Sequence, residues 1–306
     1  MKKLRVLALM HEDLIPPEHL NGHNLATAEW KTEYDVVSTL RKMGHEVRPL
    51  GVRNDLEVIR KAIEEWKPHI AFNLLEEFDG VSVYDLSYHR ISTPEFSLFP
   101  LGQSIKRPKH LSFPLIVKSV SEEASLGISQ ASIVEDDDKL RERVAFIHNS
   151  VETGAIVERY IEGRELYVGV LGNRKLQVLP VWELDLNHLP DEARRIATER
   201  VKWSHKYQSK YGITSGEAKG LPEGMCEKIQ HIAKRVYRIL GLSGYARMDL
   251  RLEPSGKVYV LEANPNPQIA LGEDFADSAK RAGMSYPKFL QRVLNMGLRW
   301  QPDRLG

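Results

Sequence analysis

Arg247-Met248-Asp249-Leu250 and, after a short turn, Val258-Tyr259-Val260-Leu261-Glu262-Ala263-Asn264-Pro265 read as two apolar strands that deliver oxygen-bearing side chains to one end of a hairpin. Strand side chains alternate between faces, so Glu262 and Asn264 point the same way, and Arg247 shares a face with Asp249. Asp249, Glu262 and Asn264 are hard oxygen donors of the kind that hold magnesium. A divalent cation beside a guanidinium is the apparatus of phosphoryl and acyl-phosphate chemistry. One strand aspartate alone would be read as a solvated acid. Four such residues at these spacings, running into Asn264-Pro265-Asn266-Pro267, favour the functional reading.

Upstream, the chain alternates cleanly between strands and helices. Strands are expected at 4–10, 46–52 and 69–75. Between the first two, Trp30, Tyr34, Val37, Leu40 and Met43 recur at helical spacing until Gly44. A second helix, capped by Asn54 and ended by Pro68, carries Leu56, Ile59, Ile63 and Trp66. This βαβαβ order predicts a parallel sheet with right-handed crossovers. Ligands then sit beyond the carboxyl ends of the strands, near His11, Glu12 and Asp13 and near Glu76, Glu77 and Asp79. No Gly-x-Gly-x-x-Gly follows the first strand, which disfavours a dinucleotide fold.

From Pro94 the order becomes irregular, as in α+β lobes. Strands are expected at 115–120, 155–161, 165–171 and 176–181, and helices at 137–149, 191–200, 222–240, 273–282 and 285–298. Composition agrees with an ordinary globular protein: 306 residues, 42% hydrophobic and 28% charged, with a net charge of +1. That balance points away from nucleic acid or an acidic membrane as partner. No apolar run reaches spanning length, and Met1-Lys2-Lys3-Leu4-Arg5 enters a strand directly, without signal-peptide character. The single cysteine, Cys226, falls in a helical pattern and excludes an internal disulfide; a cytoplasmic protein is expected.

Two more segments carry chemistry. Pro114-Leu115-Ile116-Val117-Lys118-Ser119 ends a strand in a lysine, and a glycine-bearing loop, 122–129, follows. Small residues let backbone N–H groups approach phosphates, with the lysine as a point charge. The spacing is not that of a P-loop. Val157-Glu158-Arg159-Tyr160-Ile161-Glu162-Gly163-Arg164-Glu165 is a strand, a Gly turn and a second strand. Exposed backbone at 159–161 could read an adenine edge and Glu165 could bind ribose hydroxyls; the plainer alternative is a hairpin with exposed acids. His19 and His23 flank Asn21-Gly22 and are read as surface residues of a loop.

Lys118, this hairpin and the Asp249/Glu262/Asn264 set together resemble the ATP-grasp superfamily, in its D-alanine–D-alanine ligase-like branch. The resemblance covers most of the chain and implies an α/β plus α+β protein. A parallel βαβαβ domain (1–92) would precede a small ATP-grasp lobe (93–168) and a large lobe with the metal site (169–306). It also implies an ATP-dependent carboxylate–amine ligase that works through an acyl phosphate on small amino-acid or peptide substrates. Lys118, with Ser119, would contact phosphates, and the loop bearing Glu123, Ser125 and Gly127 would close over them. Glu158, Tyr160, Ile161 and Glu165 would bind adenine and ribose. Asp249, Glu262 and Asn264 would hold two Mg2+ ions, or Mn2+, and Arg247 would steady the intermediate. Val201-Lys202-Trp203-Ser204-His205-Lys206-Tyr207 resembles the phosphate-contacting loop of the large lobe, with Lys202 preferred over Lys206 and Lys210. Glu12, Tyr207 and Asn266 are candidate substrate contacts, and a homodimer would fit the family.

The sequence departs from the pattern twice. Gly80–Asp85 passes almost directly into Leu86–Phe96, without the helix and Asp-Lys pair found between these flanks in the family. Either the polypeptide is truly shorter there, or the sequence as given omits a stretch. A true deletion motivates the alternative of a nucleotide-binding homologue without ligase activity and with a regulatory role. The loop after Asn264, Gln268-Ile269-Ala270 then Gly272-Glu273-Asp274, lacks the Gly- and Ser-rich character expected for joining two D-alanines. His11-Glu12-Asp13 likewise lacks the expected serine. The reaction class is therefore better marked than the substrate.

Overall fold

The computed structural model describes residues 3–20, 24–52, 57–74, 91–120, 128–190 and 192–300. The expected cap at Asn54 and the shortened segment around Asp85 lie outside them, as do Glu76, Glu77, Asp79 and His23. Three sheets organise the described residues. The first is parallel, in the order β2-β1-β3, from β1 (Arg5–His11), β2 (Glu46–Val52) and β3 (Ile70–Asn73). Its crossovers are α1 (Lys31–Lys42) and α2 (Glu57–Trp66), as the alternation of the sequence requires. Leu7 and Leu9 pack with Ala62 of α2 on one face. Val6, Ala8 and Met10 meet Val36, Val37 and Leu40 of α1 on the other.

That second face is closed by the far end of the chain. Phe289, Leu290 and Leu294 of the last helix, α8 (Tyr286–Leu298), join the same core, together with Tyr245, Ile269 and Phe275. Gly297 lies so near β3 that a Cβ there would sit 2.6 Å from Ile70 Cδ1. That face of the parallel sheet is thus buried in part by residues from the end of the described chain.

The second sheet is antiparallel, in the order β4-β7-β5-β6, from β4 (Phe96–Phe99), β5 (Leu115–Ser119), β6 (Ile133–Val134) and β7 (Ala155–Arg159). It is backed by α3 (Asp137–Phe146), which runs on into a π-helical turn at Ile147–Val151. The third sheet is antiparallel as well, in the order β11-β10-β8-β12-β13, with β9 paired to β8. Its strands are β8 (Arg164–Leu171), β9 (Gln177–Val178), β10 (Trp182–Asp185), β11 (Thr214–Glu217), β12 (Tyr245–Leu252) and β13 (Val258–Asn264). Sheet membership changes between Arg159 and Arg164, so β8 belongs wholly to the third sheet.

Two expectations need correction. Residues 192–198 are not helical; helix starts only at α4 (Glu199–Trp203) and α5 (His205–Tyr211). The preceding stretch is instead tied to the second sheet's lobe. Arg194 N donates to Gln130 Oε1 at 2.9 Å, Gln130 Nε2 donates to Arg194 O at 3.0 Å, and Glu199 N donates to Ile128 O at 3.2 Å. Tertiary bonds outweigh local propensity there. The strand expected at 176–181 also shrinks to Gln177–Val178.

Alternation divides the third sheet into an oily face and a polar one. Leu166, Val168, Val170, Ala246, Met248 and Leu250 pack under α6 (Met225–Ile239), against Ile229, Ala233 and Val236. Cys226 rides on that helix, partly buried. The opposite face carries Glu165, Tyr167 and Gly169 on β8, registered against Arg251, Asp249 and Arg247 on β12. On β13 the alternation is broken once. Leu250 pairs with Val260 but Asp249 pairs with Glu262, so Leu261 is a bulge. Without it, Glu262 would follow Val258 and Val260 into the oily core.

Gly169 lets α7 (Asp274–Arg281) lie down on the polar face: a Cβ there would stand 2.7 Å from Leu179 Cδ1 and 2.9 Å from Phe275 Cε2. Gly169→Ala is expected to lower stability by about 1–3 kcal/mol through overpacking. Urea denaturation checks it, and a variant as stable as the parent would show that α7 yields freely.

Candidate active site

The polar face of the third sheet gathers the hairpin residues into a block. Arg247 pairs with Asn264 and Asp249 with Glu262 across β12 and β13, so the four side chains stand as two facing pairs. Arg247 clamps Asp249 in a two-point ion pair, Nε to Oδ1 at 2.7 Å and Nη2 to Oδ2 at 2.8 Å. The guanidinium also lies 4.9 Å from the centre of the Tyr167 ring. Burial works to lower the Arg247 pKa, but Asp249 more than offsets it and the guanidinium stays firmly charged. Glu262 is on the floor of an open cleft, reached by water yet closely walled by protein. That surrounding and the adjacent Asp249 carboxylate push its carboxyl up, against the pull of Arg247, Lys202 and Lys118.

Lys118 comes from the second sheet. Ile116 and Lys118 of β5, with Ile156 and Glu158 of β7, share one face by strand alternation. Lys118 Nζ donates to Glu158 Oε2 at 2.5 Å. Burial works to lower the Lys118 pKa, but Glu158, helped by Glu262 and Glu165, raises it on balance, so the ammonium is held charged at the mouth of the cleft. Ser119 is a correction. It points to the other face, where its hydroxyl meets Thr153 Oγ1 at 2.8 Å, because neighbours on a strand cannot both face the cleft.

The backbone at 159–161 is less open than expected. Arg159 N is taken by Glu95 O at 2.8 Å and Tyr160 N by Pro114 O at 3.0 Å. Among the described residues only the Ile161 N–H of the three makes no backbone bond, and Tyr160 and Ile161 are themselves buried. Glu165 is buried too. Its Oε2 accepts from Arg251 Nη2 at 2.6 Å and its Oε1 from the Tyr167 hydroxyl at 2.9 Å, so it is an internal ion-pair partner rather than an exposed acid. The sequence reading missed Arg251, Tyr167, Ile116 and Ile156. Even-spaced polar residues along β8 and β12 were the signal that could have found the first two.

Of the three candidate lysines, only Lys202 lends its charge to Glu262; Lys206 and Lys210 are exposed, and Lys210 lies over the Tyr211 ring at 4.8 Å. Tyr207 is not brought to the hairpin. Its ring packs on Tyr211 at 4.7 Å and on the small apolar cluster of Leu186, Leu189 and Val201. Asn266 shapes the turn, its N–H donating to Asn264 Oδ1 and its Oδ1 accepting from the Tyr245 hydroxyl, both at 2.8 Å. Glu12 is exposed in a short 3-10 turn after β1. Glu123, Ser125 and Gly127 lie outside the described residues. Unanticipated is a clamp from α1 onto the loop after Asn264. Lys31 Nζ donates to Leu271 O and Glu273 Oε1, both at 3.0 Å, and Asp35 Oδ2 accepts from Leu271 N at 3.1 Å.

A family model described as D-ala D-ala ligase C-terminus matches residues 86–295, more than half of the chain. The chain belongs to the D-Ala-D-Ala ligase family. Among its relatives, the D-alanine–D-alanine ligase of Desulforudis audaxviator is 27% identical over 300 residues, covering 85% of this chain and 90% of that one. The uncharacterized protein y4sG of Sinorhizobium fredii is 30% identical over 209 residues, 68% of this chain and 59% of that protein, so the match spans less than two thirds of it. The D-alanine–D-alanine ligase of Bacillus anthracis, solved with ATP, superposes with a TM-score of 0.71 at 19% identity over 97% of this chain and 98% of that one. The VanG D-Ala:D-Ser ligase of Enterococcus faecalis gives 0.65 at 16%, over 96% and 99%. At such identities the two structures speak for a shared ATP-grasp fold.

For this member of the D-Ala-D-Ala ligase family, the hairpin chemistry suits a divalent cation. Two carboxylates side by side, with Glu262 raised by burial and then by Asp249, are a charge excess that a cation entering from the cleft would relieve. The Asn264 carbonyl keeps a second lone pair beyond its bond to Asn266. Among the described residues no group of three His, Cys, Asp or Glu forms a ready-made cage, so water or phosphate oxygens would complete the shell, as magnesium prefers.

Removing Arg251 would strand the buried Glu165 carboxylate. Arg251→Met is expected to cost about 3–5 kcal/mol, and Arg251→Met with Glu165→Leu much less, because a lone buried charge is worse than none. Urea melts of the two variants decide; equal losses would mean the pair is not what matters.

Proposed function

We propose that this protein is an ATP-dependent carboxylate–amine ligase. The observation that carries it is the cross-strand block of Arg247, Asp249, Glu262 and Asn264, with two cations, Lys118 and Lys202, whose charges reach Glu262. Membership of the D-Ala-D-Ala ligase family supports the same reading. A carboxylate oxygen of the first substrate attacks the γ-phosphorus of ATP, and ADP departs. The neutral amine nitrogen of the second then attacks the acyl carbon, the C–O bond to phosphate breaks, the nitrogen gives up a proton to the departing phosphate, and an amide bond remains. Magnesium, two ions in this reading, with manganese as a substitute, would neutralise β- and γ-phosphate oxygens when held by Asp249, Glu262 and Asn264.

The chain's own groups supply position and charge. Lys118 and Lys202 draw the phosphates from opposite sides of the cleft, and Arg247 faces the negative charge that develops at the acyl centre. The base would lie on the apolar floor of Ile116 and Ile156, with the Ile161 N–H at its edge. Glu165, which keeps unused lone pairs, faces the ribose. No side-chain nucleophile is called for, since this chemistry is largely positioning and electrostatics. Ties between the lobes, such as Gln130 with Arg194 and Arg159 Nη2 with the Tyr259 hydroxyl at 2.5 Å, would keep water from the acyl phosphate.

The three sheets would act as three working units, with the small and large lobes meeting at the 160–163 turn. Relatives named for joining D-alanine make an amino acid or short peptide the first substrate class to try. Among the described residues no helix is long and apolar enough to cross a membrane. A cytoplasmic site of action accompanies the demand for ATP, and a homodimer rests on family resemblance alone; neither bears on the chemistry.

The experiment is phosphate release from Mg-ATP with a panel of D- and L-amino acids and short peptides, with product mass recorded. Release that depends on particular compounds, and a product one water lighter than its parts, are expected. Glu262→Ala should cut that release by about 10³-fold or more while circular dichroism stays unchanged. Tight ATP binding with no release across the panel would instead favour a nucleotide-binding homologue. Full activity in Glu262→Ala would remove the metal assignment.

A further inference from the structure

A broad groove lies away from the cleft at the hairpin. It encloses about 1070 Å³ between the turn that follows β8, the loop that precedes β12 and the outer face of α8. Five cations line it: Arg174 and Lys175 from the turn, and Lys288, Arg292 and Arg299 from the helix side. Among the described residues no carboxylate lines it. In a chain whose net charge is only +1, such a one-sided lining is a local field that attracts anions. At the rim stands Trp300, 53% exposed, a flat aromatic surface offered to solvent.

The walls are built rather than loose. Asn173 ties all three of them together. Its Nδ2 donates to Met296 O at 3.0 Å and its Oδ1 accepts from Gly244 N at 3.0 Å, while the Tyr237 hydroxyl donates to Gly172 O at 2.7 Å. Arg292 donates through Nη1 to Gln177 Oε1, which fixes one cation against the floor. Arg174, Lys175, Lys288 and Arg299 have no carboxylate in ion-pair reach among the described residues. A rigid frame with unneutralised guanidinium and ammonium groups is pre-organised for charge-assisted bonds to phosphate. The volume matches a ligand of nucleotide size rather than a single ion.

We propose that this groove is a second binding site, separate from the active-site cleft, for a nucleoside polyphosphate. The phosphates meet Arg174, Lys175 and Arg299, and the base stacks on Trp300. The inference is independent of the ligase reading, and the test separates the two.

Equilibrium dialysis with labelled Mg-ATP counts nucleotides per chain. Two are expected for the parent and one for Arg174→Gln/Lys175→Gln, whose groove affinity should fall at least tenfold. Both residues are exposed, and an unchanged thermal midpoint confirms that this variant folds. Lys118→Ala, altered in the cleft alone, should keep the groove nucleotide. Trp300→Ala should weaken ATP at the groove but leave inorganic tripolyphosphate, bound by the same cations, unchanged. One nucleotide per chain, insensitive to the groove variant, overturns the proposal while leaving the cleft reading intact. One nucleotide that disappears in the groove variant but survives Lys118→Ala supports the groove and removes ATP from the cleft. Equal losses of ATP and tripolyphosphate in Trp300→Ala overturn the stacking of a base.

Discussion

The register of β13 against β12 governs what this molecule can do. A strand with one oily and one polar face has no freedom in which side chains reach the cleft. On β13 the even-numbered Val258 and Val260 are committed to the core under α6. Glu262 and Asn264 are even-numbered as well and would follow them inward. The extra residue at Leu261 shifts the alternation by one, setting Glu262 opposite Asp249 and Asn264 opposite Arg247. The crowding of the two carboxylates and the reach of Lys118 and Lys202 to Glu262 follow from that step.

Much of this was legible in the residues. The βαβαβ order, the hairpin and its oxygen set, and Lys118 at a strand end all reflect short-range patterns of period two or near four, which sequence displays directly. That Glu262 and Asn264 share a face was readable; that they share it with Asp249 was not, because a bulge leaves no mark in composition. Ser119 was misjudged for the opposite reason, since adjacency in sequence means opposite faces in a strand. The helix expected at 191–200 gave way to hydrogen bonds from Gln130 and Ile128, partners far away in sequence. Arg251 and Glu165 are visible as charges in the sequence, but only the pairing of β8 with β12 makes them partners.

The three sheets are joined at places of different character. Gln130 with Arg194 and Arg159 with Tyr259 are polar and partly exposed, bonds that can break and re-form at modest cost. The contact between the parallel sheet and α8 is oily and continuous, with Phe289, Leu290 and Leu294 fully buried. Lys31 and Asp35 of α1 add a polar strap from that sheet's crossover to the loop after Asn264. The contact between the second and third sheets is thus the more easily broken of the two, by the cost of polar against apolar surface. The loop after Asn264 is tied to α1 by that strap.

The oily contact has a consequence for synthesis. β1, β2 and β3 leave the ribosome early, but the helix that covers Val6, Ala8 and Met10 ends at Leu298. At typical elongation rates of roughly 5–20 residues per second, about 10–45 s separate the completion of β3 from the arrival of its cover. Throughout that interval the apolar face of the sheet lacks α8, and among the described residues before β4 only α1 and α2 shield the sheet. Closure of this face therefore waits on the last helix, a constraint set by the order of the chain rather than by the stability of the finished fold.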